Sequence, residues 1–307
     1  MGMEMVLDKK KNHSICAGII LYNPEIDLLK KNIDALESQI CKIFLFDNNS
    51  TNHSEITYLI ENYSNIEYIH SNENTGIASA LEYLLNLADE RKFDWILTMD
   101  QDSICSENMI HEYELCMSKE EDALICPFVL NNGKYTFEAY KKMNLPKYDY
   151  VLKPIDCITS GCLTNVSIIK KIGGFFTDLF IDGVDTELNC RVLKHGYRIK
   201  RVNSAYLIQQ MGKARKVFIF NILYKITKLN FFRRLQVAAV YNNTRLYYIA
   251  RNNRIIHKKH PNSGFRTSTP FTLLLFVYFS IFYPISHSRI LMWKNIIRGY
   301  KEAAKYV

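Results

Sequence analysis

Two carboxylates one residue apart, Asp100 and Asp102, close the stretch Phe93-Asp94-Trp95-Ile96-Leu97-Thr98-Met99-Asp100-Gln101-Asp102-Ser103. The apolar run ahead of them has strand length, so both acids stand at the carboxyl end of a buried strand. Open α/β sheets bind their ligands at such ends. Carboxylates this close repel unless a cation or several donors lie between them, and hard divalent ions that bridge to phosphate oxygens are held in this way. A solvated turn also suits Asp, Gln and Ser, so the flanking sequence has to decide. A second acidic cluster lies further on, with Asp178, Asp182, Asp185 and Glu187 within ten residues. They precede a helix whose apolar residues are Val184, Leu188 and Val192. Asp185 falls in its first turn, where the helix dipole favours a carboxylate that can face a cleft; capping is the plainer use of such acids.

The elements that must position these groups alternate. Ile15 to Leu21 reads as a strand ending in Tyr22-Asn23-Pro24, and Leu28, Leu29, Ile33 and Leu36 repeat at helical spacing. Ile43 to Phe46 is a second strand running into Asp47-Asn48-Asn49-Ser50, and Ile66 to His70 a third. A helix from about Ile77 to Ala88 follows Asn74-Thr75-Gly76 and leads into the Trp95 strand. This alternation predicts βαβ units and a mostly parallel sheet. Right-handed crossovers bring the polar strand ends, Tyr22-Asn23, Asp47 to Asn49 and Asp100 to Asp102, to one sheet edge. An Asp there can accept from the imide of a pyrimidine base or from ribose hydroxyls, and Gly76 lets backbone approach a ligand closely. Each cluster alone also fits an Asx-turn. The glycine-rich phosphate loops of dinucleotide-binding folds and of nucleoside-triphosphate hydrolases are not in the sequence. Beyond Asp102 the pattern loosens: Ala123 to Val129 is an expected strand, Leu130 to Lys153 a loop-rich connection.

Composition sets the outer bounds. A chain of 307 residues, 48% of them hydrophobic, buries a full core and is one large or two small domains. Residues 1–212 carry 21 Lys and Arg against 30 Asp and Glu, whereas 213–307 carry 18 against the single Glu302. An acidic globular part is thus followed by a basic part suited to an anionic partner. Eight cysteines with no Cys-x-x-Cys pair sit mostly within apolar segments and favour a reducing compartment. Met1 to His13 lacks the apolar core of a signal peptide, and Val6 stands where a myristoylation signal needs Ser or Thr, so a cytoplasmic location is expected.

Taken in order, Tyr22-Asn23-Pro24, Asp47-Asn48-x-Ser50, Asn74-x-Gly76-Ile77-Ala78, Asp100-Gln101-Asp102-Ser103, Ser160-Gly161, Gly173-Gly174-Phe175 and Phe180-Ile181-Asp182-x-Val184-Asp185-x-Glu187 resemble the inverting family-2 glycosyltransferases. The Asp-Gln-Asp-Ser and Phe-Ile-Asp-x-Val-Asp forms point to the bacterial rhamnosyltransferase branch, and the resemblance covers roughly residues 14–255. It implies a GT-A fold, Rossmann-like, with a mostly parallel central sheet flanked by helices. The catalytic domain would span 14–212, with a nucleotide-binding half at 14–103 and an acceptor-binding half at 104–212. Residues 1–13 would be a tail and 213–307 a basic helical region. Tyr22, Asn23 and Asp47 then look like base and ribose contacts, with Asn49 and Asp100 on the same nucleotide-sugar side and Asn74 and Gly76 in the donor cradle. Asp102, helped by Asp100, looks like the ligand of a Mg²⁺ or Mn²⁺ on the diphosphate. Asp185 matches the catalytic base, and Gly161, Asp182 and Glu187 fall on the acceptor side. The family often has Glu-Asp where this chain has Val184-Asp185, so Asp182 or Glu187 is expected to supply that charge. A later His commonly joins the metal, but here the stretch reads Leu207-Ile208-Gln209-Gln210-Met211-Gly212, and a neutral amide oxygen is a poorer ligand.

The basic tail mixes Tyr241, Arg245, Leu246, Tyr247, Tyr248, Arg251 and Arg254 at helical spacing, and Phe271 to Tyr283 is uncharged. Bounded by Pro270 and Pro284, that run is shorter than the ~20 residues a spanning helix needs. It is expected to lie on the inner leaflet, held by anionic lipid, or else to pack on the catalytic domain or a second copy. Nucleic acid is disfavoured because the charge adjoins a long apolar run. The expected activity is transfer of L-rhamnose from dTDP-L-rhamnose to a lipid-linked saccharide. The alternatives are a UDP-hexose donor or a non-catalytic nucleotide-sugar-binding scaffold.

Overall fold

A computed structural model describes residues 14–118, 120–131, 136–209, 214–261, 264, 268–282 and 288–306. The first half alternates as expected: β1 (Ile15–Leu21), α1 (Ile26–Glu37), β2 (Ile43–Asp47), α2 (His53–Ile60), β3 (Ile66–His70), α3 (Gly76–Glu90) and β4 (Trp95–Asp100). β5 (Ile104–Cys105), α4 (Met109–Glu114) and β6 (Asp122–Asn131) follow, then α5 (Phe137–Lys141), β7 (Tyr148–Tyr150), β8 (Cys162–Asn165), α6 (Val166–Lys171), α7 (Val184–Lys194) and β9 (Arg198–Gln209). The remainder holds β10 (Ala214–Lys216), α8 (Phe218–Thr227), α9 (Asn230–Leu235), β11 (Val237–Ala239), α10 (Asn243–Lys259), α11 (Thr269–Phe282) and α12 (Arg289–Glu302). The connection expected to be loop-rich from Leu130 to Lys153 therefore carries α5 and β7, elements too short to imprint a period.

The main sheet runs β3-β2-β1-β4-β8-β6-β9-β5, with β7 beside β9. β3, β2, β1 and β4 are parallel, β6 and β9 are parallel to each other, and β8 is antiparallel to both β4 and β6. Parallel strands are covered on both faces, which explains why β1, β2 and β4 read as continuous apolar runs. On one face Cys16, Phe44 and Ile96 pack with Leu81, Leu84 and Leu85 of α3 and with α6 and α7. On the other, Ile19, Leu45 and Leu97 pack with Leu29, Ile33 and Leu36 of α1 and with α2 and α4. At ~25 cal/mol per Å² of apolar surface, these two layers supply the main favourable term.

The expected domain boundary at 212 lies among residues 210–213, outside the described ones. The basic region is not an appendage: Ile255 of α10 and Ala303 belong to the same buried cluster as α3 and α7. Tyr241 stands ahead of α10 rather than in it, and Asn242 caps the helix by accepting from Arg245 N at 2.8 Å. α11 begins at Thr269 with Pro270 in its first turn, where a missing N–H costs nothing. Its inner side, Phe276 and Phe279, packs with Leu246, Ala250, Met292 and Ile296 of α10 and α12.

β6 and β9 are also clamped by charge. Lys200 Nζ donates to Asp122 Oδ2 at 2.6 Å and to the Cys116 carbonyl at 2.5 Å, with the two side chains only 5% and 0% exposed. Removing one member strands the other charge in the interior. Lys200→Met should cost ~3–5 kcal/mol of unfolding free energy in urea denaturation; a loss below ~1 kcal/mol would show that the pair is dispensable.

Candidate active site

Register lines up the suspected groups. Leu21 pairs with Asp47, Asp47 with His70, and Ile20 with Asp100. The carboxyl ends of β1, β2, β3 and β4 therefore form one edge, with Asp47 and Asp100 separated by one strand, ~10 Å by sheet spacing. Side chains lock this edge. Tyr22 N donates to Gln101 Oε1 at 2.7 Å and Gln101 Nε2 returns a bond to the Tyr22 carbonyl at 3.3 Å. Asn23, at φ +47°, donates from its N to Ser50 Oγ, while its Oδ1 accepts from Thr51 N and Oγ1, each at 2.8 Å. Asn48 Oδ1 accepts from Thr75 N at 2.8 Å, tying β2 to the start of α3. Asn49 stays exposed at φ +67°.

Gly76 opens α3 at φ +83°, and a Cβ there would lie 2.5 Å from the Phe180 ring. No other residue tolerates both the backbone and the contact. Its N–H accepts direction from Asn74, to whose Oδ1 it donates at 3.0 Å.

Asp47 is fully buried. Burial alone would push its carboxyl up, but hydrogen bonds from Ser50, Tyr68 and His70 outweigh it and hold the group below the usual carboxylate range. Tyr68 OH donates to Oδ2 at 2.5 Å, His70 Nδ1 lies 3.0 Å from the same oxygen, and Ser50 N donates to Oδ1 at 2.9 Å. Asp47 thus reaches a ligand only by exchanging one of these partners.

Asp100 sits at the same edge and keeps partial exposure. Its carboxyl is pushed up to about 6, first by burial, next by Asp102 and, less, by Asp185, against the bond from Gln209 Nε2 at 3.3 Å. Asp102 and Asp185 are also raised, in each case chiefly by burial. Asp185 lines one cavity with Thr159, Cys162 and Thr164, and β8, which carries the last two, pairs with β4, so the start of α7 lies beside the β4 edge. Asp185 itself accepts from Thr186 N at 2.7 Å and has Cys157, Cys162 and Leu188 beside it. Ser160 Oγ accepts from Asp100 N at 3.0 Å and Asn32 Nδ2 donates to the Asp100 carbonyl at 2.7 Å, so the turn bearing the acids is held from below.

Three expected acceptor-side residues do other work. Gly161 is buried at φ +72°, its N donating to Thr98 O and its carbonyl accepting from Tyr113 OH. Glu187 is 3% exposed and spent on Arg191 at 2.8 Å and His260 at 3.2 Å, which holds it below the usual range despite burial. It braces α7 against α10 and does not supply the charge expected beside Asp185. Asp182 keeps some exposure but is paired with Arg245. The sequence reading missed Asn48, Gln101, Tyr68 and His70 as partners. Gln101 and Asn48 lay within motifs already singled out, whereas Tyr68 and His70 need the β2–β3 register.

Among the described residues no three His, Cys, Asp or Glu side chains form a metal cage. Two carboxylates crowded enough to raise Asp100 are hard-oxygen ligands, whereas Gln209 turns its amide nitrogen to Asp100. That pair of acids fits a Mg²⁺ or Mn²⁺ which keeps most of its water.

Acids at parallel strand ends with an acidic helix start beside them are the arrangement expected of a GT-A fold. The description Glycosyl transferase family 2 matches residues 16–172, just over half of the chain, and the protein belongs to that family. It is 26% identical over 262 residues, 81% of both chains, to the dTDP-rhamnosyl transferase RfbF of Shigella flexneri. Two solved structures share the fold. S. aureus TarS 1-349 superposes with a TM-score of 0.51 at 12% identity, over 94% of this chain and 80% of that one. GalNAc-T7 with UDP, GalNAc and Mn²⁺ gives 0.52 at 10% identity, and this chain, 96% covered, spans 58% of it.

The raised Asp100 predicts a sign. The folded state holds that proton more tightly than the unfolded chain, so stability is fully present below about pH 4 and is lost as pH rises through about 6. Asp100→Asn removes the penalty. In metal-free buffer the variant should gain ~1–3 kcal/mol on wild type between pH 4 and pH 8 in denaturant titrations; a gain that is the same at both pH values contradicts the crowded-carboxylate account.

Proposed function

We propose that this glycosyltransferase moves L-rhamnose from dTDP-L-rhamnose, with inversion, onto a lipid-linked saccharide in cell-surface polysaccharide assembly. The observation that carries the chemistry is the placement of Asp100 and Asp102 at the end of β4, with Asp185 at the start of α7 lining a cavity against β8, the neighbouring strand. The similarity to a dTDP-rhamnosyl transferase over most of both chains supports the donor.

In this reading the Tyr22-Asn23 turn, Asp47, Asn49, Asn74 and Gly76 cradle the nucleoside and diphosphate. A phosphate at the start of α3 would take the Gly76 N–H from Asn74 Oδ1, which now accepts it at 3.0 Å. Asp185 takes the proton of the attacking acceptor hydroxyl, and its raised affinity for a proton suits a base. Attack on the face opposite the diphosphate inverts the anomeric centre in one displacement, so no enzyme nucleophile is needed, and Ser160 and Cys162 stay structural. Asp100 and Asp102 would hold a divalent cation, which when bound neutralises charge on the diphosphate leaving group.

The acceptor class agrees with the outer surface of the C-terminal helices. α11 turns Leu273, Leu274, Val277 and Ile281 outward, each at least half exposed, and α8 and α9 do the same with Phe218, Ile219, Ile226 and Phe231. No described helix is long and apolar enough to cross a membrane. A shallow seat on anionic lipid suits apolar side chains surrounded by Lys and Arg. A second copy suits them less, because two such basic surfaces repel. We therefore place the protein on the inner face of the plasma membrane.

Asp185→Asn should lower turnover by ~10²–10⁴ while donor affinity, measured by calorimetry, stays near wild type; unchanged turnover removes the base assignment. Substituting Leu274 and Val277 with Glu should abolish co-sedimentation with anionic vesicles at low salt. If the doubly substituted protein still sediments, α11 is not the contact.

A further inference from the structure

The acidic helix α7 starts from a contorted turn. Phe180 has φ +61° and ψ −66°, and Ile181 N donates across it to the Leu179 carbonyl at 2.7 Å. That is the γ-turn of the rarer, strained hand. Asp182 and Gly183 follow at φ +66° and +84°. Non-glycine residues persist in this region only where their surroundings over-determine them.

Those surroundings are α10. Asn252 is 1% exposed, and its Nδ2 lies 2.8, 2.8 and 2.7 Å from the carbonyl oxygens of Leu179, Ile181 and Asp182. Arg251, also buried, donates from Nε to Asn252 Oδ1 at 2.9 Å and from Nη2 to the carbonyls of Asp178 and Leu179. With Oδ1 taken by a guanidinium, the amide nitrogen is the face left for the turn. Tyr248 stacks on Phe180 at 4.9 Å and 12°, and Ile256 comes within 2.8 Å of where a Cβ on Gly183 would stand. Asp185 follows Gly183 by two residues.

We propose that Asn252, oriented by Arg251, is a positioning residue for Asp185: its amide pins three carbonyls of the 179–182 stretch and so sets where α7 begins and where the carboxylate points. The proposal rests on Asp185 being the base and goes beyond it by placing control of that base in the C-terminal helix. Every group that Nδ2 meets is a main-chain carbonyl, so the amide acts on the path of the backbone itself. A scaffold with a looser turn would still bind donor through the strand ends, whose bonds among Tyr22, Asn23, Asp47, Ser50 and Gln101 do not involve the turn.

The test uses the full chain with Mn²⁺ and dTDP-L-rhamnose, reading release of dTDP with water standing in for the acceptor. Asn252→Ala should lower kcat by at least about tenfold, since a small misplacement of a reacting group is enough to do so. The dissociation constant for dTDP should stay within about threefold of wild type, the split that distinguishes positioning from general loosening. A folded Asn252→Ala protein with wild-type kcat, or one whose kcat and dTDP affinity fall together, overturns the proposal. Should that variant not fold, Arg251→Lys keeps Asn252 but releases its Oδ1; kcat should fall at least about threefold with dTDP affinity unchanged, and a wild-type kcat overturns the proposal. Asp185→Asn, run alongside, separates the two claims. Full turnover there removes the base reading and this inference with it, whereas a dead Asp185→Asn beside a normal Asn252→Ala removes the inference alone.

Discussion

Like charge gathered at one sheet edge is the constraint on which the rest of this structure depends. Asp100 feels the charges of Asp102 and Asp185, and burial makes all three harder to ionise. Unrelieved, the arrangement costs stability, and proteins keep such costs mainly where function uses them. Everything nearby works to hold the acids despite the repulsion. Ser160 and Asn32 fasten the main chain of Asp100, Gln209 donates to its carboxylate, and Gln101 exchanges two bonds with Tyr22. The charge of Asp182 is met by Arg245 and that of Glu187 by Arg191 and His260. The outer acids are neutralised by partners of the chain itself, while the inner ones are the ligands proposed for a divalent cation.

Much of this was legible from residue order. Buried parallel strands read as unbroken apolar runs, so the switch from Phe46 to Asp47 and from Met99 to Asp100 marked both strand ends and ligand edge. Gly76 was legible because a helix start with a phosphate to approach favours the one residue without a Cβ. Short elements were not: α5 and β7 are too brief to show a period, and the antiparallel insertion of β8 leaves no trace in local sequence. Long-range side-chain pairing was hidden for a different reason. That Tyr68 and His70 grip Asp47 depends on the register of β2 against β3, and that Glu187 is consumed by His260 depends on a helix 73 residues away. A carboxylate near a motif therefore looked like a site residue when it was a brace.

The C-terminal region changes meaning in the same way. Its charge and its apolar run suggested a separable membrane-seeking piece. The structure joins its inner side to the catalytic core through Ile255, Asn252 and Arg251 and leaves apolar side chains exposed on the outer sides of α8, α9, α11 and α12. α10 thus holds the turn that launches α7 and, through Leu246 and Ala250, also backs α11, whose outer side is the proposed membrane contact.

The account stands most directly on where a nucleotide and a metal bind. Crystals grown with Mn²⁺ and dTDP, with diffraction collected at the manganese edge, settle this. The account predicts an anomalous peak in contact with the carboxylate of Asp102, with dTDP lying along the ends of β1 and β2 beside Gly76 and Asp185 facing it across the cleft. A peak away from Asp100 and Asp102, or dTDP bound off that sheet edge, would contradict it.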